Sequence, residues 1–415
     1  MPVFTSSIEV TADYPTIKPS LNLNFARSRA LDPRITFTRS TIATYVGRDG
    51  LIKYAGVNEP RFDHDPDTLE SLGLLIEESR NNIFRNSDFS GGTTDWTIGS
   101  WDTNNLSFGT ENVVLPTGET GPAWYVERTG NSSSAHWHQN YHSYPTNTRV
   151  AWSVWGKGEG AFNMRRLSGW TVISTNASDY GDPNNSTAFT LSPTEWRRFV
   201  VIMDASSSVG YPYFASESQT QGVRCHYWGA QIEVGNFVSS FIKSPTGSGA
   251  TRAADNAEIM YDGWYDNSSS VKPSTFVGKF QIYDLSATRM IAEGSDGSTL
   301  KDFSVNTLAG SSNLQFVHRY TANDSYDGTE GSGITINTPA TFAFSYDGTG
   351  GDITGSANGS TPIAGTDDLG TTSQAGGDRM RIGSRGNNTI YLNGTISELR
   401  YYKFKASSAQ LLLLQ

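Results

Sequence analysis

The sequence predicts an all-β fold, in which a segment of short strands precedes two β-sandwich domains. Charged residues make up only 17% of the 415 residues, which is too few for the long helices of a bundle or a regular α/β enzyme. Aromatic residues reach 12%, and together with β-branched residues they favour pleated sheets. The 42 glycines, seven of them in Asn-Gly or Asp-Gly pairs, are typical of tight turns between strands.

Composition divides the chain into three blocks. Nine of the ten tryptophans fall between Trp96 and Trp228, which marks an aromatic-rich domain over residues 91–245. Residues 1–90 form a segment of short strands, which we expect to anchor the protein or to hold its oligomer together. A stretch rich in Pro, Gly and Ser at residues 244–251 is interpreted as a linker, and residues 256–415 form the second sandwich domain.

Alternation of apolar and polar residues, together with turn signals, predicts where the individual strands and the terminal helix lie. Residues 43–46 and 51–54 flank Asp49-Gly50 and predict a hairpin. Residues 407–414 predict a short terminal helix capped by Ser407 or Ser408. Further strands are predicted at residues 150–155, 198–203, 223–228, 276–280, 342–346 and 398–402.

Charge and cysteine content narrow the possible partners. The net charge of −10 argues against nucleic acid, because phosphate contacts need a basic surface. No run approaches the roughly 18 apolar residues of a membrane span, so membrane insertion is not expected. The single cysteine, Cys225, excludes an internal disulfide, and its place within a strand predicts a core position. No secretory signal pattern is visible, so we expect synthesis in a reducing cytoplasm.

Several runs in the chain resemble a known family. FTRSTIATYV at 37–46, DGLI at 49–52, VNEPRFD at 57–63 and GLLIEESRNN at 73–82 resemble a lead segment of bacteriophage tail-fibre and virion structural proteins. WGAQIEVG at 228–235 and TRAAD at 251–255 resemble the closing segments of the same family. Just before the linker, the run SFIKSP at 240–245 departs from the family's usual Ser-Tyr-Ile-Pro-Thr. The resemblance implies that these brackets enclose a jelly roll like that of a carbohydrate-binding module.

The last block resembles a concanavalin A-like sandwich of the laminin G type. The matching pieces are AFSYDG at 343–348, RIGS at 381–384 and LNGTISELRYY at 392–402. This resemblance concerns the fold alone, because the same sandwich serves lectins, hydrolases and structural modules.

The family resemblance implies a virion protein on the surface of a phage particle. Its role would be that of a tail fibre or similar appendage, made in the host cytoplasm, which binds host surface polysaccharide or lipopolysaccharide and other virion proteins. A homotrimer is implied as well, and its avidity would raise weak binding at single sites. Two alternatives stay open: a head decoration or adaptor protein that binds no glycan, and a polysaccharide depolymerase.

We do not expect an enzyme. Glycoside hydrolysis needs two carboxylates that face each other across a cleft at about 5–10 Å. The last block shows no Glu-x-Asp-x-x-Glu strand of the kind that hydrolases of the concanavalin fold carry. Glu77 and Glu78 are instead expected to pair with Arg61 or Arg80, and the aspartates around Pro66 are expected to form a turn.

Aromatic side chains are the candidate glycan-binding residues. A sugar stacks its flat C–H face on an aromatic ring while nearby polar side chains bind its hydroxyl groups. Polar loops surround two of the candidates, and a histidine-rich stretch contains the other two; burial in the core is the alternative for each. The candidates are Trp170, Tyr180, Trp137 and Tyr141.

The histidine-rich stretch HWHQNYH at 136–142 predicts a strand with two different faces. His136 and His138 would share one face, and Trp137 and Tyr141 the other. Imidazoles at this spacing can bind a metal ion, but no carboxylate lies nearby, so a polar face at a subunit contact or in a glycan groove is favoured. No cofactor or metal is expected. Calcium ligands in the Asp-rich runs 324–327 and 347–352 are an alternative to simple turns.

Overall fold

The computed structural model is built almost entirely of antiparallel strands, which confirms the predicted all-β class. It describes residues 17–100, 105–130, 135–139, 148–165, 170–175, 179–182, 186–205, 213–215, 219–266, 272–296, 301–319, 326–331, 333–347, 353–365 and 377–415.

Short strands dominate the first part of the chain. They are β1 (Leu21–Asn24), followed by helix α1 (Phe25–Ser28), β2 (Ile35–Thr38), β3 (Ala43–Val46), β4 (Ile52–Ala55), β5 (Phe62–His64), β6 (Ser71–Ile76) and β7 (Arg80–Asn82). The aromatic-rich part contains β8 (Thr97–Ser100), β9 (Leu106–Val114), β10 (Thr120–Arg128), β11 (Ala135–His138), β12 (Thr148–Lys157), β13 (Ala161–Arg165), β14 (Trp170–Thr175), β15 (Asp179–Asp182), β16 (Ser186–Thr190), β17 (Arg197–Ala205), β18 (Tyr213–Ala215) and β19 (Arg224–Val234).

The last part of the chain continues in the same way and ends in a helix. Its elements are β20 (Ala250–Arg252), β21 (Asn256–Met260), β22 (Ser274–Ile282), β23 (Met290–Ser295), β24 (Lys301–Thr307), β25 (Leu314–Arg319), β26 (Tyr326–Gly331), β27 (Ala340–Tyr346), β28 (Ile353–Ala357), β29 (Ile363–Ala364), β30 (Arg379–Ile382), β31 (Gly394–Tyr402) and α2 (Ser408–Leu414). No helix among the described residues is both long enough and apolar enough to cross a membrane.

The chain forms two compact units, each assembled from separated stretches. Unit 1 consists of the residues up to Arg39, together with Asn58–Glu78 and Ala254–Gln415. Unit 2 consists of Ser40–Val57 and Ser79–Ala253. The short strands within residues 1–90 are therefore distributed over both units.

Unit 2 is a sandwich of two antiparallel sheets. Sheet I has the strand order β15-β16-β13-β18-β11-β8, and sheet II has the order β14-β17-β12-β19-β10-β9. Their inner faces enclose an aromatic core in which Trp124 and Trp152 are fully buried. The predicted hairpin is confirmed as β3–β4, and its Ile52 packs in a separate apolar cluster with Trp228 and Phe241.

The stretch predicted as a linker is held to unit 2 by hydrogen bonds and strand pairing, with residues 245–248 exposed. Its first residue, Ser244, is buried, and the backbone N–H of Ser244 donates to Ser87 Oγ at 2.8 Å. At its end, β20 pairs with β7. Small polar residues are common in linkers, but they can also hydrogen-bond to the backbone and to other side chains, as they do here.

Unit 1 is a second sandwich. Sheet III has the strand order β29-β28-β27-β22-β31-β6-β5, and sheet IV has the order β2-β21-β30-β23-β24-β25-β26. Strands β1 and β6 both pair with β31, one after the other along its length. The predicted terminal helix is confirmed as α2: Ser407 is its N-cap and forms a capping box with Gln410. Leu411 and Leu414 pack α2 against sheet III.

A buried ionic cluster in unit 1 joins residues from separate stretches of the chain. Arg61 Nη1 lies 2.8 Å from Glu77 Oε2, which confirms the predicted pairing. Asp255 accepts from Arg61 and also pairs with Arg39 Nη1 at 2.9 Å. Burial alone would lower the pKa of Arg61, but the negative charges of Asp255 and Glu77 outweigh it and raise that pKa. The lead-segment motif therefore contributes a structural cluster.

Candidate functional site

The candidate site is the outer face of sheet I. Its inner face is apolar, because Trp137 on β11, Phe162 on β13 and Phe214 on β18 are fully buried in the core of unit 2. Side chains alternate along a strand, so the neighbours of these three residues project from the opposite face.

Three rings lie side by side on this outer face. His136 and His138 of β11 are stacked, with ring centroids 5.2 Å apart and an interplanar angle of 25°. The Tyr213 ring of β18 lies 4.8 Å from that of His136, at an angle of 53°. Asn163 of β13 is in register with Ala215 of β18, as is His136, so it belongs to the same row across the sheet.

A glycine makes room for the His136 ring. Gly99 of β8 is the register partner of His136, and a Cβ atom at Gly99 would overlap the imidazole. The ring therefore lies over the neighbouring strand. His136 and Tyr213 are half-buried, whereas His138 and Asn163 are buried at 3% and 6% exposure. A ligand on this face would thus touch His136 and Tyr213 first.

The chemistry of the row suits a polyhydroxylated ligand. Imidazole and phenol groups offer flat faces together with hydrogen-bond donors and acceptors. Within the described ranges, no three His, Cys, Asp or Glu side chains are grouped so that they could hold a metal ion. The imidazole rings of His136 and His138 stack on each other, and that of His136 also contacts Tyr213.

Of the sequence-predicted glycan residues, Trp137 lies on the inner face of sheet I and not on this outer face. Trp137 packs in the core, with its ring centroid 4.6 Å from Tyr227 and 5.2 Å from Phe214, so its ring offers no face to a sugar. We therefore assign Trp137 to the core.

The other three predicted residues are described only in part or not at all. The backbone of Trp170 begins β14 at an edge of sheet II. The backbone of Tyr180 lies in β15, at the edge of sheet I opposite to β8. Tyr141 lies outside the described residues.

The predicted division of the histidine stretch into two faces is confirmed for residues 136–138. Sequence reasoning missed Tyr213 and Asn163 as members of the site. The run Tyr213-Phe214-Ala215 does alternate as a strand, but nothing in it indicates that it pairs with β11.

A second polar cluster lies on the outer face of sheet II. Arg224 stacks over the Tyr125 ring at 4.4 Å and pairs with Glu111 at 2.5 Å and with Glu127 at 2.9 Å. His226 Nε2 contacts Glu111 Oε1 at 2.5 Å. Burial raises the pKa of Glu111, but the hydrogen bonds from His226 and Arg224 outweigh it and hold that pKa below its usual range. These groups pair with one another and link β9, β10 and β19.

Two of the aspartates singled out in the sequence make structural contacts. Asp65 accepts from the backbone N–H groups of Thr68 and Asp67 at 2.7 and 2.9 Å, which is the predicted turn. Asp347 Oδ2 lies 3.3 Å from Lys405 Nζ. The rest of the Asp-rich run that begins at Asp347, and Asp324 of the other run, lie outside the described residues.

Cys225 is buried, as predicted. Burial raises the pKa of its thiol to about 11, so it is protonated at neutral pH.

Comparison with known proteins gives likenesses of fold alone. No family model matches the chain, and no curated protein matches it. Among solved structures, the CBM40 of the Ruminococcus gnavus IT-sialidase bound to α2,3-sialyllactose is 16% identical, with a TM-score of 0.31 over 37% of this chain and 87% of that one.

Two further solved structures show the same kind of distant likeness. The tandem CBM22 domains of Paenibacillus barcinonensis Xyn10C are 10% identical, with a TM-score of 0.27 over 80% of this chain and 100% of that one. The LG4-5 domains of the mouse laminin α1 chain are 8% identical, with a TM-score of 0.24 over 66% and 88%.

Proposed function

We propose that the protein binds carbohydrate without cleaving it, through the outer face of sheet I. The observation that carries this proposal is the row of rings formed by His138, His136 and Tyr213 on a face whose reverse side is the apolar core. The two half-buried rings, His136 and Tyr213, lie beside polar groups and so match the needs of a sugar, which presents both C–H faces and hydroxyls.

The finer part of the proposal places the protein on a phage particle. Its support is the resemblance of the lead segment to tail-fibre and virion structural proteins. We propose a homotrimeric appendage that binds polysaccharide or lipopolysaccharide of the host surface together with other virion proteins. Several copies of a weak site would then act together through avidity.

Binding to an array of bacterial polysaccharides and lipopolysaccharides tests the carbohydrate part. For any glycan that binds, Tyr213→Ala should weaken the affinity by at least about tenfold, or ~1.4 kcal/mol. Tyr125→Ala is the matched control, because Tyr125 is a half-buried tyrosine on the outer face of sheet II. Equal affinity of the two variants would place the site elsewhere, and no binding on the array would favour the adaptor alternative.

Two further measurements address the rest of the proposal. A reducing-end assay on the bound polysaccharide should show no new ends; their release would favour the depolymerase instead. Light scattering should give three times the mass of the chain, and a monomer would contradict the trimeric appendage.

A further inference from the structure

A separate pocket of about 200 Å³ lies in unit 2 beside the hairpin β3–β4. Buried apolar groups line it, among them Ala43, Phe241 and Ile242. Two large side chains at the pocket remain open to solvent, Ile42 at 55% and Tyr54 at 42% exposure. The lining residues belong to none of the strands of sheet I.

A basic side chain lines this pocket and pairs with an acidic one. Lys243, a lining residue, is exposed, and its Nζ lies 2.6 Å from Asp88 Oδ2. Partial burial of Tyr54, with the charges of Asp88 and Glu119, raises the pKa of its hydroxyl to about 12, so the group keeps its proton at neutral pH. Arg252 also lines the pocket, but it is buried and donates to the Ala253 carbonyl.

The volume of the pocket and the chemistry of its lining side chains indicate which class of ligand it fits. The pocket is smaller than the roughly 300–1,000 Å³ of sites for drug-sized molecules, so it suits a single small ring. The exposed Tyr54 ring suits a C–H face, and the ammonium of Lys243 can donate hydrogen bonds to hydroxyl oxygens. The ammonium of Lys243 is already paired with the Asp88 carboxylate at 2.6 Å, and this compensated charge disfavours an anionic sugar at that group.

We propose that this pocket binds one neutral pyranose ring, with its C–H face on Tyr54 and a hydroxyl at Lys243. A pocket for one ring recognises the end of a glycan chain, whereas the open row on sheet I can contact its interior. The inference adds a second site to the proposed carbohydrate binding and does not depend on the first.

Saturation-transfer NMR with the full chain tests the pocket. The probes are D-glucose, D-galactose and D-mannose, with D-glucuronate as the charged comparison. At least one neutral hexose should receive saturation, and Tyr54→Ala should weaken its binding by at least about tenfold. D-Glucuronate should bind more weakly than D-glucose, the neutral sugar of the same configuration. Tighter binding of D-glucuronate would contradict a neutral ligand.

Two variants distinguish binding in the pocket from binding at another surface of the protein. Val57→Ala truncates an exposed apolar residue of the same stretch that does not line the pocket, so it should leave the signal unchanged. Tyr213→Ala should also leave it unchanged; loss there with retention in Tyr54→Ala would assign the sugar to sheet I. Thermal melting of Tyr54→Ala checks that the variant is folded, and no saturation of any neutral hexose by the wild type would refute the pocket.

Discussion

The imidazole ring of His318 lies flat against the phenol ring of Tyr346, with centroids 4.0 Å apart and an interplanar angle of 4°. His318 is on β25 of sheet IV and Tyr346 on β27 of sheet III, so the pair joins the two sheets of unit 1. Burial of His318 disfavours its charged form and lowers its pKa to about 3.

This pair predicts an acid sensitivity of unit 1. Below about pH 6.5 the unfolded chain takes up a proton at residue 318 that the folded chain does not, so stability falls as the pH drops toward 3. The slope is ~1.4 kcal/mol per pH unit, or about 2 kcal/mol at pH 5. Urea unfolding at several pH values should show that His318→Phe removes this part of the pH dependence.

Tyr346→Phe serves as the control for that measurement. It keeps the stacked ring and the titrating histidine, so its pH dependence should match that of the wild type. An unchanged pH dependence in His318→Phe would show that other groups cause the loss of stability in acid.

The buried ionic cluster predicts a large loss of stability when one partner is removed. Asp255→Ala leaves the guanidinium groups of Arg39 and Arg61 buried without the carboxylate that both contact, which costs about 3–5 kcal/mol. Glu195→Ala removes an exposed carboxylate 3.4 Å from Arg197 and should cost less than ~1 kcal/mol. Chemical denaturation gives both values, and similar costs would contradict a structural role for the cluster.

A glycine in β6 predicts that the stability of unit 1 depends on the absence of a side chain at this position. Gly73 has φ +98°, and a Cβ atom there would meet the backbone of β31, at 2.6 Å from the Ser397 Cα. Gly73→Ala should therefore lower the unfolding free energy by more than ~3 kcal/mol. Gly263, at φ +72° with open space around it, isolates the cost of the backbone conformation, and Gly263→Ala should cost about 1 kcal/mol.

Two adjacent leucines of α2 should differ strongly in how much their truncation lowers the stability of the protein. Leu411 is fully buried against sheet III, and Leu411→Ala should cost about 2–5 kcal/mol. Leu412 is 42% exposed, so Leu412→Ala should change the stability by less than ~0.5 kcal/mol. Thermal melting distinguishes the two, and equal shifts would mean that α2 does not pack through Leu411.

Local features of the fold were predictable from the sequence because short-range chemistry determines them. The β3–β4 hairpin follows from its Asp-Gly turn, and the Ser407 cap of α2 follows from its spacing to Gln410. Opposite charges in neighbouring runs predicted that Glu77 pairs with Arg61 or Arg80, and the structure shows that the partner is Arg61.

The arrangement of the site was not predictable, because it depends on pairing between distant strands. Alternation shows that His136 and His138 share a face, but both faces of that strand carry rings, so the pattern cannot tell which is inside. Tyr213 joins the row only through the register of β18 with β11, about 75 residues away in the chain, and no local signal encodes that register.

The interleaving of the two units imposes an order on synthesis. Unit 2 is complete once residue 253 has left the ribosome, whereas β1 of unit 1 must wait for β31, whose Tyr401 pairs with Leu21. The aromatic-rich unit can thus fold during translation, while β1 of its companion has no partner strand until nearly the whole chain is made. Genetic exchange is constrained as well. A recombination event that replaces residues 79–253 leaves the hairpin at 43–55 in place. The new segment must therefore supply a hydrogen-bond acceptor for the Thr44 hydroxyl, which now donates to the carbonyl oxygen of Phe241.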